Sequence, residues 1–247
     1  MVSQDELKQK AAFRAVEFVD SDMVIGLGTG STTRFAVERI AACIKAGELK
    51  NIVGIPSSVQ TEELAQKLGI PLAGFEEHAQ IDVTIDGADE VDPDLDLIKG
   101  GGGALLREKV LAQASRKNII IVDDSKLTPK LGSNWALPVE VVPFAWKAEE
   151  LFLNALGASV SVRTLNDGRS FRTDQGNLIL DAFFGPMADP KKMALILNER
   201  AGIVEHGLFL GLASDVIVAG KEGIRQGRDS AARHGMLECP DGATPHE

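Results

Sequence analysis

The sequence predicts an α/β fold: a mostly parallel sheet with helices on both faces, followed by a smaller α+β unit. Two observations predict the sheet. Short apolar segments alternate along the chain with segments of helical periodicity, and polar loops rich in glycine follow the apolar segments. Such alternation is typical of a parallel sheet covered on both faces. A third observation, the order of the elements after residue 131, predicts the smaller unit.

The first half of the chain begins with a helix, because Ser3 and Glu6 have capping-box spacing and apolar residues then recur at helical intervals. Two later helices are closed by glycine, at Gly47 and Gly69. Runs of aliphatic residues between the helices predict buried strands. In chain order we predict strands at 23–27, 51–55, 81–85 and 118–122, and helices at 32–47, 59–69 and 104–115.

The chain changes character after Lys126, where Pro129, Pro138 and Pro143 interrupt it. The predicted order is strand, helix, strand, strand, helix, strand, which is the order of a ferredoxin-like split unit. A further strand, 214–220, is expected to return to the first sheet. The predicted segments of the unit are 137–143, 148–156, 158–163, 177–184, 190–199 and 201–210.

These elements predict two domains and a tail. We expect a catalytic domain formed by residues 1–131 and 209–225, and a smaller domain formed by residues 132–208. Glycine, arginine, histidine and proline accumulate near the C-terminus, so we expect residues 226–247 to form a flexible tail.

Composition excludes several classes of function. The net charge of −10 disfavours a nucleic-acid binder, because phosphate backbones require a basic surface. An anionic ligand must instead be held locally by backbone N–H groups and a few lysines, which favours a small molecule. No apolar run approaches membrane-spanning length, and neither a signal-type segment nor a CxxC pair is seen, so we expect a cytoplasmic protein with no membrane partner.

Polar loops recur where the predicted strands end. GTGST (28–32), DGADE (86–90) and DDSK (123–126) each follow a strand, and KGGGG (99–103) leads into a helix. Ligands of open parallel sheets bind outside the carboxyl ends of the strands, beside the N-termini of the helices. The recurrence of such loops therefore predicts a ligand site at this edge of the sheet.

The first loop lacks the glycine that a dinucleotide fingerprint requires, because position 31 is serine. Two interpretations remain open. The loop is either a cradle for one phosphate, formed by backbone N–H groups and a helix dipole, or an ordinary turn with a good N-cap.

The acidic run from Asp86 to Asp96 does not fit a calcium loop, because leucine and glycine occupy the positions that need glycine and glutamate. The four histidines show no ligand spacing, and we expect no metal site. Asp86 and Asp89 stand nearest the strand end and are candidate working groups. Glu108 follows the glycines by about one helical turn, and either faces the cleft or belongs to a charged outer face.

With these loops in view, the chain resembles the type A ribose-5-phosphate isomerases. The segments that carry the resemblance occur in one order and span most of both predicted domains: GLGTGST (26–32), DGADEVD (86–92), IKGGGGALLREK (98–109), DDSK (123–126), PVEVVP (138–143) and DQGNLILD (174–181).

The resemblance implies an aldose–ketose isomerase that interconverts ribose 5-phosphate and ribulose 5-phosphate without a metal or an organic cofactor. It also implies a Rossmann-like first domain with a small second domain, in a homodimer or a tetramer. Two departures from the family pattern are PSSVQ (56–60) and Gln175, where asparagine is common.

Carried over position by position, the resemblance implies that Glu108 is the catalytic base, and that Asp86 and Lys99 assist ring opening and move protons among the substrate oxygens. A single carboxylate above the C1–C2 edge suffices for both proton transfers, while N–H groups of the glycine loop stabilise the oxyanion. The implied substrate contacts are Thr29, Gly30, Ser31, Thr32, Asp86, Gly87, Ala88, Asp89, Lys99, Gly100, Gly101, Gly102 and Lys126, with Lys8 reaching the phosphate.

Three other functions remain as alternatives: a different sugar-phosphate isomerase, a coenzyme A transferase with a glutamate nucleophile, and a sugar-phosphate sensor without turnover. A trapped acyl-enzyme would favour the transferase. A sensor should carry a DNA-binding module, for which neither the charge nor the length leaves room.

Overall fold

The computed structural model describes residues 3–228. Its helices are α1 (Gln4–Val16), α2 (Ser31–Lys45), α3 (Val59–Leu68), α4 (Leu105–Ala114), α5 (Trp146–Ala155) and α6 (Pro190–Asn198). Its strands are β1 (Val24–Leu27), β2 (Val53–Pro56), β3 (Ile81–Asp86), β4 (Glu90–Val91), β5 (Leu97–Ile98), β6 (Ser115–Asp123), β7 (Leu137–Val141), β8 (Ser159–Val162), β9 (Leu178–Phe183), β10 (Ile203–His206), β11 (Leu208–Phe209), β12 (Asp215–Gly220) and β13 (Gly223–Arg228).

The main sheet has the strand order β13-β12-β6-β3-β1-β2. All neighbouring pairs are parallel except β12 and β13. Helices α1 and α2 cover one face, where Ile25, Ile85 and Ile121 are buried. Ala112 of α4 packs on the opposite face with Ile120. The predicted α/β class is confirmed, including the return of β12 to this sheet.

The smaller sheet is antiparallel and has the order β10-β7-β9-β8. Its inner face is formed by Val139, Leu180 and neighbouring aliphatic residues, against which Leu153 of α5 and Leu197 of α6 pack. The predicted α+β split order is confirmed. The domain boundaries that we placed at residues 131 and 208 stay predictions.

The predicted flexible tail is wrong for residues 226–228, which belong to β13. This strand is hydrophilic and gives no apolar signal, but it pairs along its length with β12. Asp215 of β12 also accepts hydrogen bonds from the side chains of Gln226 (2.7 Å) and Arg228 (3.1 Å). The partner strand therefore supplies the order that the sequence does not indicate. Residues 229–247 of the predicted tail lie outside the described residues.

The predicted strand 201–210 is divided at Gly207 between two sheets: β10 joins the smaller sheet, and β11 joins a short third sheet with the order β11-β5-β4. A Cβ at position 207 would lie 2.3 Å from the carbonyl oxygen of Lys99, so the close approach requires glycine. The Gly207 oxygen accepts a hydrogen bond from the Lys99 N–H (2.9 Å), which fixes Lys99 at the end of β5.

Within residues 3–228, no helix is both long enough and apolar enough to cross a membrane.

Candidate active site

The predicted site residues lie together. Strands β1, β3 and β6 end at the same edge of the main sheet, because they are parallel neighbours, and the loops that follow them face the start of α4. Every residue of the predicted set lines a single cleft, except Asp86. The Asp86 carboxylate is buried beneath the cleft surface, in contact with Lys99.

The centre of the cleft is a buried ion-pair cluster. Lys99 Nζ lies 3.0 Å from Asp86 Oδ2 and 3.2 Å from Glu108 Oε1, and it donates to the carbonyl oxygen of Gly87 at 2.5 Å. The three charged side chains are at most 5% exposed. Between Ser3 and Arg228 no group donates a hydrogen bond to Glu108 Oε2, although this atom is buried. One oxygen of Glu108 is therefore anchored and the other is free to react.

Burial sets the protonation of this cluster. Desolvation raises the pKa of Glu108 to about 8, and the positive charge of Lys99 opposes that effect only in part. Burial by itself would lower the pKa of Lys99, but the carboxylates of Asp86 and Glu108 raise it above its ordinary value. The lysine thus remains an ammonium, and Glu108 can gain or lose a proton near neutral pH.

Asp86 is oriented by the backbone. Its Oδ1 accepts hydrogen bonds from the N–H groups of Gly87 (2.8 Å) and Thr29 (3.2 Å), so Oδ2 faces Lys99. These contacts join the loops after β1 and β3 and fix the carboxylate that pairs with Lys99.

The glycine loop supplies fewer free donors than the sequence predicted. The Gly101 N–H donates to Asp89 Oδ2 (2.7 Å), and the Gly103 N–H donates to the Gly100 oxygen (2.9 Å). Gly100 and Gly103 have φ values of +101° and +83°, which only glycine adopts readily. Four glycines therefore shape the loop, but the N–H groups of Gly101 and Gly103 already have acceptors in the protein.

Gly102 differs from its neighbours. It lies at the cleft surface, and its N–H has no acceptor in the part of the chain that the structure describes. A Cβ at this position would meet only the Thr29 side chain, at 3.7 Å, and φ is not positive. The fold itself does not require glycine here, so the Gly102 N–H is the best candidate for an oxyanion donor.

The opposite end of the cleft is suited to a phosphate. Gly30 is the N-cap of α2, and as a glycine it has no side chain to satisfy the first N–H groups of the helix. The Lys8 Nζ lies 3.1 Å from Ser31 Oγ, and Lys126 lines the cleft with its ammonium 5.0 Å from the Trp135 ring. Helix N–H groups, a hydroxyl and two lysines together favour an anion.

Sequence reasoning missed several residues of the site. Gln4 of α1 lines the phosphate end of the cleft. The hydroxyl of Thr29 does not face the cleft freely, since it lies within 2.7 Å of Ser57 Oγ, 2.8 Å of Ser58 Oγ and 3.2 Å of Thr61 Oγ1. This hydroxyl cluster joins the loop after β1 to the residues that follow β2. The only sequence signal for it was the run of small polar residues after β2.

The structure contains no group of three or more histidine, cysteine, aspartate or glutamate side chains arranged to hold a metal ion between residues 3 and 228.

The family model described as "Ribose 5-phosphate isomerase A (phosphoriboisomerase A)" matches residues 53–223. A ribose-5-phosphate isomerase A of Desulfatibacillum aliphaticivorans is 66% identical over 226 residues, which cover 92% of this chain and 98% of that protein. The protein of the same name from Chloroflexus aurantiacus is 57% identical, with 90% and 93% coverage.

Solved structures agree with these relatives. A D-ribose-5-phosphate isomerase in complex with phospho-erythronic acid has a TM-score of 0.89 at 41% identity, and the match covers 92% of this chain and 99% of that one. The ribose 5-phosphate isomerase of Plasmodium falciparum gives the same values. Of the functions left open by the sequence, these matches select the isomerase over the transferase and the sensor. The chain belongs to the ribose 5-phosphate isomerase A family.

Proposed function

We propose that this isomerase interconverts D-ribose 5-phosphate and D-ribulose 5-phosphate through a cis-enediolate, with Glu108 as the group that accepts and returns the proton. One observation supports the assignment above the others: the Glu108 carboxyl is buried in the cleft, with Oε1 held by Lys99 and Oε2 free of protein partners in residues 3–228. A carboxyl anchored through one oxygen has the second available for the substrate.

The chemistry requires removal of a proton from C2 of the open-chain aldose and its return at C1. These carbons are adjacent, so one carboxyl on one face of the enediolate serves both transfers. General acid–base catalysis is most efficient when the pKa of the group approaches the working pH. A pKa of about 8 for Glu108 meets that condition, whereas an ordinary glutamate would be a weaker base.

Negative charge that develops on the substrate oxygens needs donors fixed in advance. Lys99 supplies an ammonium that two carboxylates keep protonated. Gly102 supplies an N–H at the cleft surface. Asp86 lies behind Lys99 and does not line the cleft, so it would exchange protons with the sugar hydroxyls during ring opening by way of the Lys99 ammonium. The three groups act on the oxygens, and Glu108 acts on the carbons.

The N-terminus of α2, Ser31, Thr32, Lys8 and Lys126 would bind the phosphate. Binding energy from this remote group orients the reacting end and so raises the rate of the chemical step. The relative solved with phospho-erythronic acid supports a phosphorylated sugar as the ligand. That ligand is a phosphorylated sugar acid whose planar, negatively charged carboxylate resembles an enediolate.

The direct test is an assay for ketopentose formation from ribose 5-phosphate in the presence of EDTA. We expect full turnover, because none of the proposed steps uses a metal. Absence of ketopentose, or formation that depends on added divalent metal, would contradict the proposal. Matched reactions with Glu108→Gln test the role of the carboxyl: near-wild-type kcat in that variant would refute the assignment of the base.

We also propose a cytoplasmic homodimer or tetramer that takes a small sugar phosphate and binds neither nucleic acid nor membrane. Apolar side chains on the smaller sheet unit support an interface, since Phe144 is fully exposed and Leu151 and Leu195 are 65% and 66% exposed. Light scattering should give at least twice the chain mass, and Leu151→Glu should lower it. A monomeric wild type would refute the assembly.

A further inference from the structure

Arg163 connects the smaller sheet to the glycine loop of the active site. It follows β8 directly, and its Nη1 donates to the carbonyl oxygens of Gly100 (2.7 Å) and Gly101 (3.1 Å). Asp181 of β9 holds the other edge of the guanidinium: Nε donates to Oδ2 at 2.9 Å, and Nη2 donates to Oδ1. The Arg163 side chain is 14% exposed, so it is largely shielded from solvent.

The geometry of the peptide bond gives these contacts a consequence inside the cleft. In a planar trans peptide, the carbonyl oxygen and the N–H of the next residue point in opposite directions. A carbonyl of Gly101 that is held by Arg163 therefore turns the Gly102 N–H away from Arg163, toward the cleft that Gly102 lines. The peptide between Gly100 and Gly101 is held at both of its polar groups, because Arg163 donates to the Gly100 oxygen and Asp89 accepts from the Gly101 N–H.

The loop needs such a restraint. Glycine has more backbone freedom than any other residue, and four in succession would sample many peptide orientations. Arginine suits the position because its planar guanidinium presents several donors at fixed angles. It can therefore bind two carbonyl oxygens and one carboxylate at once. A lysine ammonium carries a charge but cannot reproduce that planar set.

We propose that Arg163, held in plane by Asp181, is a positioning residue that aims the Gly102 N–H at the substrate oxygen on which negative charge develops. The proposal rests on the proposed function, since it concerns the donor that stabilises the enediolate. It makes the smaller sheet a working part of the catalytic site, although the site itself lies at the edge of the main sheet.

The test compares Arg163→Ala, Arg163→Lys and Asp181→Asn with the wild-type enzyme. We expect kcat of the alanine variant to fall about 10- to 100-fold, less than the 10²- to 10³-fold typical of a deleted oxyanion donor, because the N–H remains but loses its direction. KM for ribose 5-phosphate should change by no more than about threefold. The kcat of Arg163→Lys and of Asp181→Asn should lie between that of the wild type and that of Arg163→Ala.

Two inhibitors separate positioning from a general structural effect. The inhibition constant of phospho-erythronic acid should rise in parallel with the loss of kcat, because its carboxylate uses the same N–H. Inorganic phosphate, which needs only the α2 end of the cleft, should inhibit all variants equally. Arg169→Ala is the matched control: it removes an arginine of the same segment that is paired with Asp167 at the surface, and it should keep wild-type kinetics.

The proposal is overturned if Arg163→Ala keeps wild-type kcat, or if phosphate and phospho-erythronic acid weaken together, as a general loosening of the fold would cause. The lysine variant provides a second folded test case should the alanine variant unfold. Failure of the base assignment would look different: Glu108→Gln would retain turnover, whatever the behaviour of Arg163.

Discussion

Replacement of Glu108 by glutamine should make the protein more stable at alkaline pH while it removes activity. Burial raises the pKa of Glu108 from an ordinary value of 4.5 to about 8. Between these values the folded state retains a proton that the unfolded state has released. Stability of the wild type therefore falls as pH rises through this window. Glutamine stays neutral and escapes that loss.

The size of the effect follows from the two pKa values. The difference between 4.5 and about 8 means that ionisation of Glu108 lowers the free energy of unfolding of the wild type by on the order of 5 kcal/mol once the pH exceeds the upper value. For a chain of this length, that corresponds to a rise in Tm of roughly 10 °C or more. Lys99 keeps Asp86 as its partner in the variant, so no unpaired charge is created.

The assay is thermal unfolding of the wild type and Glu108→Gln at pH 5, 7 and 9, with parallel kinetics. We expect equal Tm at pH 5, a higher Tm for the variant at pH 9, and a kcat lower by roughly 10²- to 10⁴-fold with KM nearly unchanged. Glu63→Gln, at an exposed carboxyl of α3, is the control and should show no such divergence. In the wild type, kcat/KM should rise with pH toward 8, because the base must be ionised.

Either of two results would refute the reasoning. One is a variant whose Tm tracks that of the wild type at every pH, which would mean that Glu108 titrates as an ordinary carboxyl. The other is a wild-type kcat/KM profile whose acidic limb has a pKa near 4.5.

Three further predictions concern the rest of the molecule. Gly102→Ala should fold normally, because a Cβ there meets only one side chain, at 3.7 Å, but it should lower kcat/KM by roughly 10²-fold by displacing the substrate. The control is Gly74→Ala, where a Cβ would meet open space away from the cleft. Equal activity of the two variants would contradict the role of Gly102. Lys126→Ala should mainly raise KM, and more for ribose 5-phosphate than for ribose; equal changes for both sugars would remove Lys126 from the phosphate site. Burial lowers the pKa of His206 to about 4, so the unfolded state binds a proton at a higher pH than the folded state does, and wild-type stability should fall as pH falls from 6.5 toward 4. His206→Gln should make stability depend less on pH in this range, as measured by acid denaturation with circular dichroism. An unchanged pH dependence would refute the lowered pKa of His206.

The sequence predicted the parts of the fold that local chemistry determines. Strands β1 and β6 contain runs of aliphatic residues, and β3 has an aliphatic residue at every second position, so all three were predicted as buried strands. Strand β13 has no such run, and its order depends on its partner β12. The third sheet consists of two-residue strands, too short for a periodic pattern, and exists because Gly207 allows close contact with Lys99.

The same division applies to the site. Asp86, Lys99 and Glu108 lie beside strand ends, so the rule that ligands bind at the carboxyl ends of parallel strands predicts that they share one site. Arg163 lies about 60 positions after the loop it restrains and contacts only backbone oxygens there. Such contacts leave no side-chain pattern in the sequence. The raised pKa of Glu108 was also beyond prediction, because desolvation and Lys99 act in opposite directions and only burial decides between them.

Proton transfer by Glu108 is tested most directly by hydrogen exchange at the reacting carbons. Ribose 5-phosphate is incubated in D₂O with the wild type or Glu108→Gln, and incorporation at C1 of the ketose and C2 of the aldose is followed by NMR. We predict that the wild type places deuterium in one of the two C1 positions only, and that the variant exchanges neither carbon while inorganic phosphate still competes for its cleft. Exchange by the variant at the wild-type rate would contradict the account.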